Sequence, residues 1–527
     1  MEKHKKSKEQ REKYEQRDKN REKQVDLLLI LGLFIVILLP NLGLANLELI
    51  SPDASGYLDM GRNLFSGRGA ITSYNLYQFW PGKYHPFLPY MQPLYPIVAG
   101  LIWILFNLKA VIAFNIVLLS LNCILIYKII RLKADYLTSA LIALFMGFSQ
   151  NLVFSAIYPW TEHLHLFFVL LAIYLYLRYE KSQFLVGVLL GVSCLTRVAG
   201  FYNIFAFGVA LLILRGFSKD AFKGYLKIAL GFLSIFLSYE IFCYAKYGIL
   251  YPQYIGAART YGFSWFHPGA FYKPTLPVLN APPPSITTEL AFKNIRNHLS
   301  SFIGVFGYAK FVFIVAPLYI IFDIWKRKTA LFIVFFFQAL VIMLGCVWGL
   351  RATPGIEALR YSLIPFITLG IIGFLSIKYI FESLSPKKRM KRYFFIIFLS
   401  LVSILFYFHI QKGYLPFRKE WAKRHPQRFG AYHEARDRMY AWIRENTDKD
   451  VLIASEFLAD PVFFDRPFVS LPVGEALTAE NFRDYLNIYK PDYVLTYHEQ
   501  LVKFLKAFGF VEKKRSGSMV LLGKSSW

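Results

Sequence analysis

Val25-Asp-Leu-Leu-Leu-Ile-Leu-Gly-Leu-Phe-Ile-Val-Ile-Leu-Leu-Pro-Asn-Leu-Gly-Leu44 decides the class of this chain. An α-helix of about 20 such residues rises about 30 Å, the thickness of a bilayer's hydrocarbon core. The apolar region of a cleaved signal peptide is shorter, so the stretch reads as an uncleaved first span. Before it, Met1 to Gln24 is dense in Lys, Arg and Glu with almost nothing apolar. Such a segment buries no core and reads as a cytosolic tail or frayed helix that orients the span.

Working outward, apolar runs of spanning character recur at about Val111 to Ile130, Leu137 to Ala156, Leu164 to Leu177, Phe184 to Thr196, Phe201 to Leu214, Leu226 to Tyr244, Phe302 to Ile324, Leu331 to Leu350, Tyr361 to Ile380 and Tyr393 to Ile410. With the first, they predict about eleven spans. The composition agrees: 56% of the 527 residues are apolar, with 51 Phe and 35 Tyr, more than a soluble core of this length requires. A net charge of +26 raises the question of nucleic acid. The basic residues sit in short clusters between apolar runs, however, and not on one soluble face, so nucleic acid is excluded as a partner. Lys128, Arg131 and Lys133, then Arg178 and Lys181, then Arg215, Lys219 and Lys223, then Lys326 to Lys328, then Lys387 to Arg392 follow alternate spans. This positive-inside pattern puts each cluster and the N-terminus in the cytosol.

Pro93 to Phe106 tests the scheme. It is apolar but only about four turns long and contains Pro96. If it crossed, every later basic cluster would lie outside, so it reads as an interfacial or re-entrant helix with Tyr95 and Trp103 at the membrane boundary. The expected organisation is a cytosolic basic tail (1–24), an all-α polytopic domain (25–410) with outer loops 45–92 and 246–301, and a small α/β domain (411–527) outside the membrane. In this last part the long apolar runs give way to alternating helix-like and strand-like segments. The four cysteines lie in apolar runs and suit neither disulfides nor a zinc site. No N-x-[ST] sequon occurs, which favours a bacterial inner or plasma membrane over a secretory lumen.

On the predicted outer side, Ser51-Pro-Asp53-Ala-Ser-Gly-Tyr57-Leu-Asp59-Met-Gly-Arg62-Asn63 follows the first span. A partly desolvated carboxylate there can accept a proton from an attacking hydroxyl. It can equally cap a helix starting near Ala54. Asp59 and Arg62, one turn apart, read as an ordinary exposed pair. Tyr158-Pro-Trp-Thr-Glu162-His163-Leu-His165 forms a second acidic site at a span end, where an ionisable group needs a cavity or a partner. Glu162 is its functional candidate, with a helix start capped by Thr161 as the plainer reading. His163 and His165, two apart, do not share a helix face, which argues against a zinc site built from both. Leu195-Thr-Arg197 offers a planar fork of donors to a phosphate, or an arginine snorkelling to the interface. Lys83, His85, Arg259, Arg351 and Arg360 are further outer-side groups with the same ambiguity.

Asp53 with Tyr57, the Arg62-Asn63-Leu64-(x)2-Gly67-x-Gly69 run, Gln92-Pro-Leu-Tyr-Pro96, Trp160-Thr-Glu162 and Leu195-Thr-Arg197, in this order, resemble the GT-C superfamily of membrane glycosyltransferases, in the branch of protein O-mannosyltransferases and the lipid A aminoarabinose transferase. The resemblance covers the first half of the chain well and extends more loosely to Arg360-Tyr361 and Trp442-Ile-Arg-Glu-Asn446. It implies that Asp53 is catalytic and activates the acceptor for inverting attack on a polyprenyl-phosphate-linked hexose or pentose. It implies that Glu162 shapes the site and that Arg197 holds the donor phosphate; Lys83 and His85, by their position before the short interfacial segment, are further candidates for that phosphate. Tyr57, Arg62, His163, Arg259 and Arg360 are further candidates. Asp53 is followed by Ala54 where several members carry a second acid, so a divalent metal and the acceptor (glycan, lipid or protein) stay open. A flippase for lipid-linked glycans would place charged or broken segments near mid-membrane and often has paired halves, whereas the acids here sit at span ends. A polymerase or ligase of lipid-linked glycans shares the donor chemistry.

Overall fold

A computed structural model describes residues 2–47, 51–67, 69, 92–179, 182–197, 199–247, 296, 363–383, 388–455, 463, 466–471 and 479–525. The polar tail and the first apolar run form one helix, α1 (Glu2–Leu42), closed by a 3-10 turn, Gly43–Leu47. Leu33 and Ile37 turn inward, while Leu27, Leu28, Leu31 and Leu39 face outward. A helix that is apolar on its outer side as well suits lipid, not water.

α1 packs antiparallel to α4 (Leu108–Arg131). At one end, Asp26, where the apolar part of α1 begins, accepts from the Tyr127 hydroxyl at 2.5 Å and from Lys128 Nζ at 2.6 Å, with Arg131 Nε at 3.5 Å. Pairing of this kind makes an acid tolerable within an apolar span. Lys128 and Arg131 also occupy the last turn of α4, where cations complement the helix dipole. The same end holds Asp135, which caps α5 (Tyr136–Gly147) by accepting from Thr138 N and its hydroxyl, each at 2.8 Å, and meets Lys378 Nζ at 3.1 Å. Lys378 belongs to α11 (Leu363–Ser383), and its neighbour Tyr379 donates to the Lys133 carbonyl.

The run expected as one span from Leu137 to Ala156 is broken. α5 and α6 (Gln150–Ala156) meet at 58°. Ser149 caps α6 by accepting from Leu152 N at 3.3 Å. His409, at the end of α12 (Lys388–His409), puts Nε2 3.1 Å from the Phe148 carbonyl and stacks on Phe145. It supplies the donor that a helix end lacks when no further turn follows.

Four described helical stretches, 20–46, 108–131, 219–246 and 396–420, are long and apolar enough to cross a membrane, or five counting the bent pair. They make this a membrane protein. The runs at Phe302 to Ile324 and Leu331 to Leu350 lie outside the described residues, and α7 (Glu162–Arg178), α8 (Gln183–Thr196), α9 (Gly200–Arg215) and α11 are shorter than, or less uniformly apolar than, those four. α8 lies against α10 (Lys219–Tyr247) along a glycine seam. A Cβ on Gly187 would stand 2.0 Å from the Ile228 carbonyl oxygen, and one on Gly231 would stand 2.1 Å from that of Phe184. Such backbone contact is how helices associate tightly in lipid.

α2 (Pro52–Phe65) and α3 (Leu94–Leu105) pair at the other end of the bundle, where Gly61 and Gly100 touch backbone to backbone. α3 has twelve residues, about 18 Å of helix, and is too short to cross.

Beyond α12, a π-turn (Ile410–Tyr414) leads directly into α13 (Leu415–Asn446). A five-stranded sheet follows in the order β2-β1-β3-β5-β4, from β1 (Ile453–Ser455), β2 (Phe468–Ser470), β3 (Tyr493–Thr496), β4 (Phe510–Ser516) and β5 (Met519–Lys524). β1 pairs in parallel with β2 and β3, and the last three strands pair antiparallel. Met439, Tyr440 and Ile443 of α13 cover one face, while α14 (Ala479–Tyr489) and α15 (Glu499–Ala507) cover the other with Phe482, Tyr485, Leu501 and Leu505. The parallel strands point back toward the bundle. Arg466, just before β2, binds the Ile443, Arg444 and Thr447 carbonyls at the far end of α13, whereas Tyr497, just after β3, meets Tyr440 nearer the bundle. Phe463, between β1 and β2, packs against both the α13 core and the bundle core.

Candidate functional site

The chain leaves the 3-10 turn and enters α2 through Ser51 and Pro52. Ser51 is the N-cap, accepting from Ala54 N at 3.2 Å, and Pro52 opens the helix. Asp53 therefore sits inside the first turn, half-buried, and is not the cap that its position before Ala54 suggested. The proline at the first helical position shifts the start by two residues, from Ala54 to Pro52, and the dipole there favours the carboxylate.

Ser51 ties this corner to the second acidic site. The Trp160 indole Nε1 donates to Ser51 Oγ at 2.6 Å, and its ring stacks on Tyr158 with centroids 4.5 Å apart. The Tyr158 and Trp160 carbonyls accept from Asn115 Nδ2 at 2.7 and 3.2 Å. Asn115 Oδ1 accepts from the Tyr95 hydroxyl, and the Tyr95 ring meets Tyr57 edge-on at 5.5 Å. The hydrogen-bonded links put donors on matched acceptors in buried or part-buried surroundings and tie both sides of the Pro159 turn to Asn115. Burial pushes the Tyr158 phenol up to about 12, so it stays protonated near neutrality.

Glu162 opens α7, and Arg197 closes α8 as its C-cap. Arg197 donates from one terminal nitrogen to Glu162 Oε1 at 2.7 Å and to Thr161 Oγ1 at 3.0 Å. The two side chains are 2% and 11% exposed, so the pair is desolvated and its two charges depend on each other. Thr161 makes no capping bond of its own. Thr161 still stands at the N-cap of α7, but its hydroxyl serves the guanidinium in place of the helix N–H groups.

His163 turns away from this pair. Its Nε2 lies 2.9 Å from the Leu152 carbonyl and from Ser155 Oγ, and its Nδ1 lies 3.4 Å from Asn122 Nδ2. It is a satisfied core histidine joining α4, α6 and α7. Arg62 does pair with Asp59, at 2.5 Å, yet the pair is not the exposed one that the helix spacing suggested. Asp59 is fully buried and Arg62 is 11% exposed, with its guanidinium carbon 6.0 Å from the Trp103 ring centroid. The contact at Gly61 and Gly100 brings α3 over this face of α2. Lys83, His85, Arg259, Arg351 and Arg360 lie outside the described residues. Among the described residues, no three of His, Cys, Asp or Glu gather closely enough to hold a metal ion.

Sequence reasoning placed Asp53, Glu162 and Arg197 but missed the parts that join their elements: the Ser51 hydroxyl, the Trp160 indole and the Asn115 amide. The Ser-Pro step was a legible signal for the first. An asparagine in an apolar helix marked the third, though not its partner.

No family model and no curated protein matches this sequence. Solved structures do match it in fold. ArnT from Cupriavidus metallidurans bound to undecaprenyl phosphate superposes with a TM-score of 0.59 at 12% identity, over 95% of this chain and 98% of that one. Archaeal oligosaccharyltransferase AglB from Archaeoglobus fulgidus, in complex with an inhibitory peptide and a dolichol-phosphate, gives 0.58 at 13% identity over 89% and 69%. Both are GT-C superfamily members.

Proposed function

We propose, on the premise of a GT-C fold, that this chain is an inverting glycosyltransferase that moves a sugar from a polyprenyl-phosphate donor to an acceptor on the outer face of its membrane. The observation that carries the reading is the linkage from Ser51 through Trp160 to Glu162 and Arg197. It gathers an acid-bearing helix start and a buried guanidinium at the end of the bundle opposite Asp26, Lys128, Arg131 and Lys378. If the basic end is cytosolic, the acid and the guanidinium face outward.

In this reading the donor phosphate lies against Arg197, and its lipid tail runs among the Phe-rich helices. Asp53 accepts the proton of the acceptor hydroxyl as that oxygen attacks the anomeric carbon. The phosphate leaves as an anion, so a base and fixed cations suffice, and Glu162 keeps the guanidinium in place. ArnT with undecaprenyl phosphate and AglB with dolichol-phosphate support a polyprenyl-phosphate ligand on this fold.

Purified protein given undecaprenyl-phosphate hexoses and pentoses with membrane glycans, lipids or peptides should release undecaprenyl phosphate. Asp53→Asn should lower that release at least a hundredfold with the thermal transition unchanged. Near-normal release by the variant would remove Asp53 from the catalytic role.

A further inference from the structure

His165 is absorbed by none of the roles above. It lies on α7 one turn beyond Glu162 and is 3% exposed. A spacing of three puts both side chains on the helix face that meets α8. His165 Nδ1 stands 3.1 Å from the Ser193 carbonyl oxygen, which also accepts the backbone N–H of Arg197 at 3.0 Å. α7 thus grips the last turn of α8 twice, through Glu162 on the arginine side chain and through His165 on the backbone that carries it.

The bond to Ser193 also fixes the ring's proton. A carbonyl only accepts, so Nδ1 carries the hydrogen, and in the neutral ring Nε2 is a bare acceptor. Nε2 is buried, and no described group reaches it. Buried acceptors without partners are rare in folded proteins and call for a missing donor. A phosphodiester has no proton to offer at neutral pH and would be repelled by the lone pair. Among the described residues, no three of His, Cys, Asp or Glu gather here to hold a metal cation. A sugar hydroxyl supplies what is missing.

We infer that His165 is a sugar-recognition residue of the donor pocket: its Nδ1–H holds the turn presenting Arg197, and its Nε2 accepts a hydroxyl of the donor sugar. The inference rests on the glycosyltransferase reading and adds to it a residue that distinguishes the sugar from its lipid carrier.

The test compares binding of undecaprenyl phosphate with binding of undecaprenyl-phosphate hexoses and pentoses to the full chain in nanodiscs. His165→Asn keeps an N–H near the Nδ1 position and removes the acceptor at Nε2. It should weaken the sugar-bearing lipids about fivefold to tenfold, as expected for one neutral hydrogen bond, and leave undecaprenyl phosphate unchanged. Unchanged affinity for both lipid classes, or an equal loss on both, would overturn the inference in favour of a purely structural histidine. If His165→Asn does not fold, His165→Gln carries the test. It places an amide oxygen near Nε2 and should keep the sugar-lipid affinity within about twofold while melting earlier; a selective loss of the sugar-bearing lipids overturns the inference. A wild-type protein that binds neither lipid class would bring down the glycosyltransferase reading itself, and this inference with it.

Discussion

Arg197 and Glu162 form a buried ion pair at which stability can be separated from the proposed chemistry. Removing either partner strands a buried charge, so Arg197→Ala should destabilise the protein by about 3–5 kcal/mol. Replacing both with leucine removes the stranded charge, and stability should return to within about 1–2 kcal/mol of wild type. Transfer should stay lost in the double variant, because the guanidinium proposed to hold the donor phosphate is gone. Thermal denaturation in detergent alongside a transfer assay separates the two effects. A double variant that stays active would show that the pair only holds α7 to α8. Trp160→Phe is the milder companion. It keeps an aromatic ring against Tyr158 and loses the bond to Ser51, whose loss should cost about 1 kcal/mol.

The spacing between helices is set by residues that have no side chain to give. Gly61→Ala places a methyl group 2.3 Å from the Pro96 carbonyl oxygen, a backbone atom that cannot rotate away. Overpacking of this sort costs about 1–3 kcal/mol. Because α2 carries Asp53, transfer should fall more than the loss of stability alone explains, whereas a melting temperature within 1 °C of wild type would deny the close contact. At the other end of the bundle, Asp135 joins α5 to α11. Burial raises its carboxyl, but the backbone and hydroxyl of Thr138 and the Lys378 ammonium outweigh this and hold it below the usual carboxylate range. Its folded value lies below its unfolded value of about 3.9. The stability it contributes is therefore fully present above that pH and lost as pH falls through the folded value. The difference in melting temperature between wild type and Asp135→Asn should stay constant from neutrality to about pH 5 and shrink below about pH 4. A difference that does not depend on pH would mean that the ionised form is not what stabilises the joint.

Across the whole molecule, two ends of different chemistry lie at opposite ends of the first apolar span, one at Asp26 and one at the Ser51 corner. Cysteines introduced at Lys133, at the basic end, and at Ser66, at the exposed end of α2, should be labelled from opposite sides of sealed vesicles by an impermeant maleimide. The described native cysteines, Cys123, Cys194 and Cys243, are buried and should stay silent. Labelling of both positions from one side would end the proposed topology and, with it, the outward-facing site. The soluble sheet belongs to the same geometry. The carboxyl ends of its parallel strands point at the bundle, and Phe463 is wedged between the two cores.

The amino-acid sequence alone determined the class of this protein, the clustering of basic charge between its apolar runs, the short helix after the first loop and the residues worth testing. Hydropathy over a span and charge between spans act along the chain and need no partner to be read. Tertiary structure decided which alternative each of those residues adopts. Asp53 lies inside its helix because Ser51 caps it, and His163 is core because Leu152, Ser155 and Asn122 surround it. Asp59 and Arg62 are buried because two glycines let α3 close over them, and the Leu137 to Ala156 run breaks where His409 satisfies a carbonyl from 261 residues away. Hydrogen bonds and burial depend on which atoms meet across helices, and a linear pattern carries no record of those meetings.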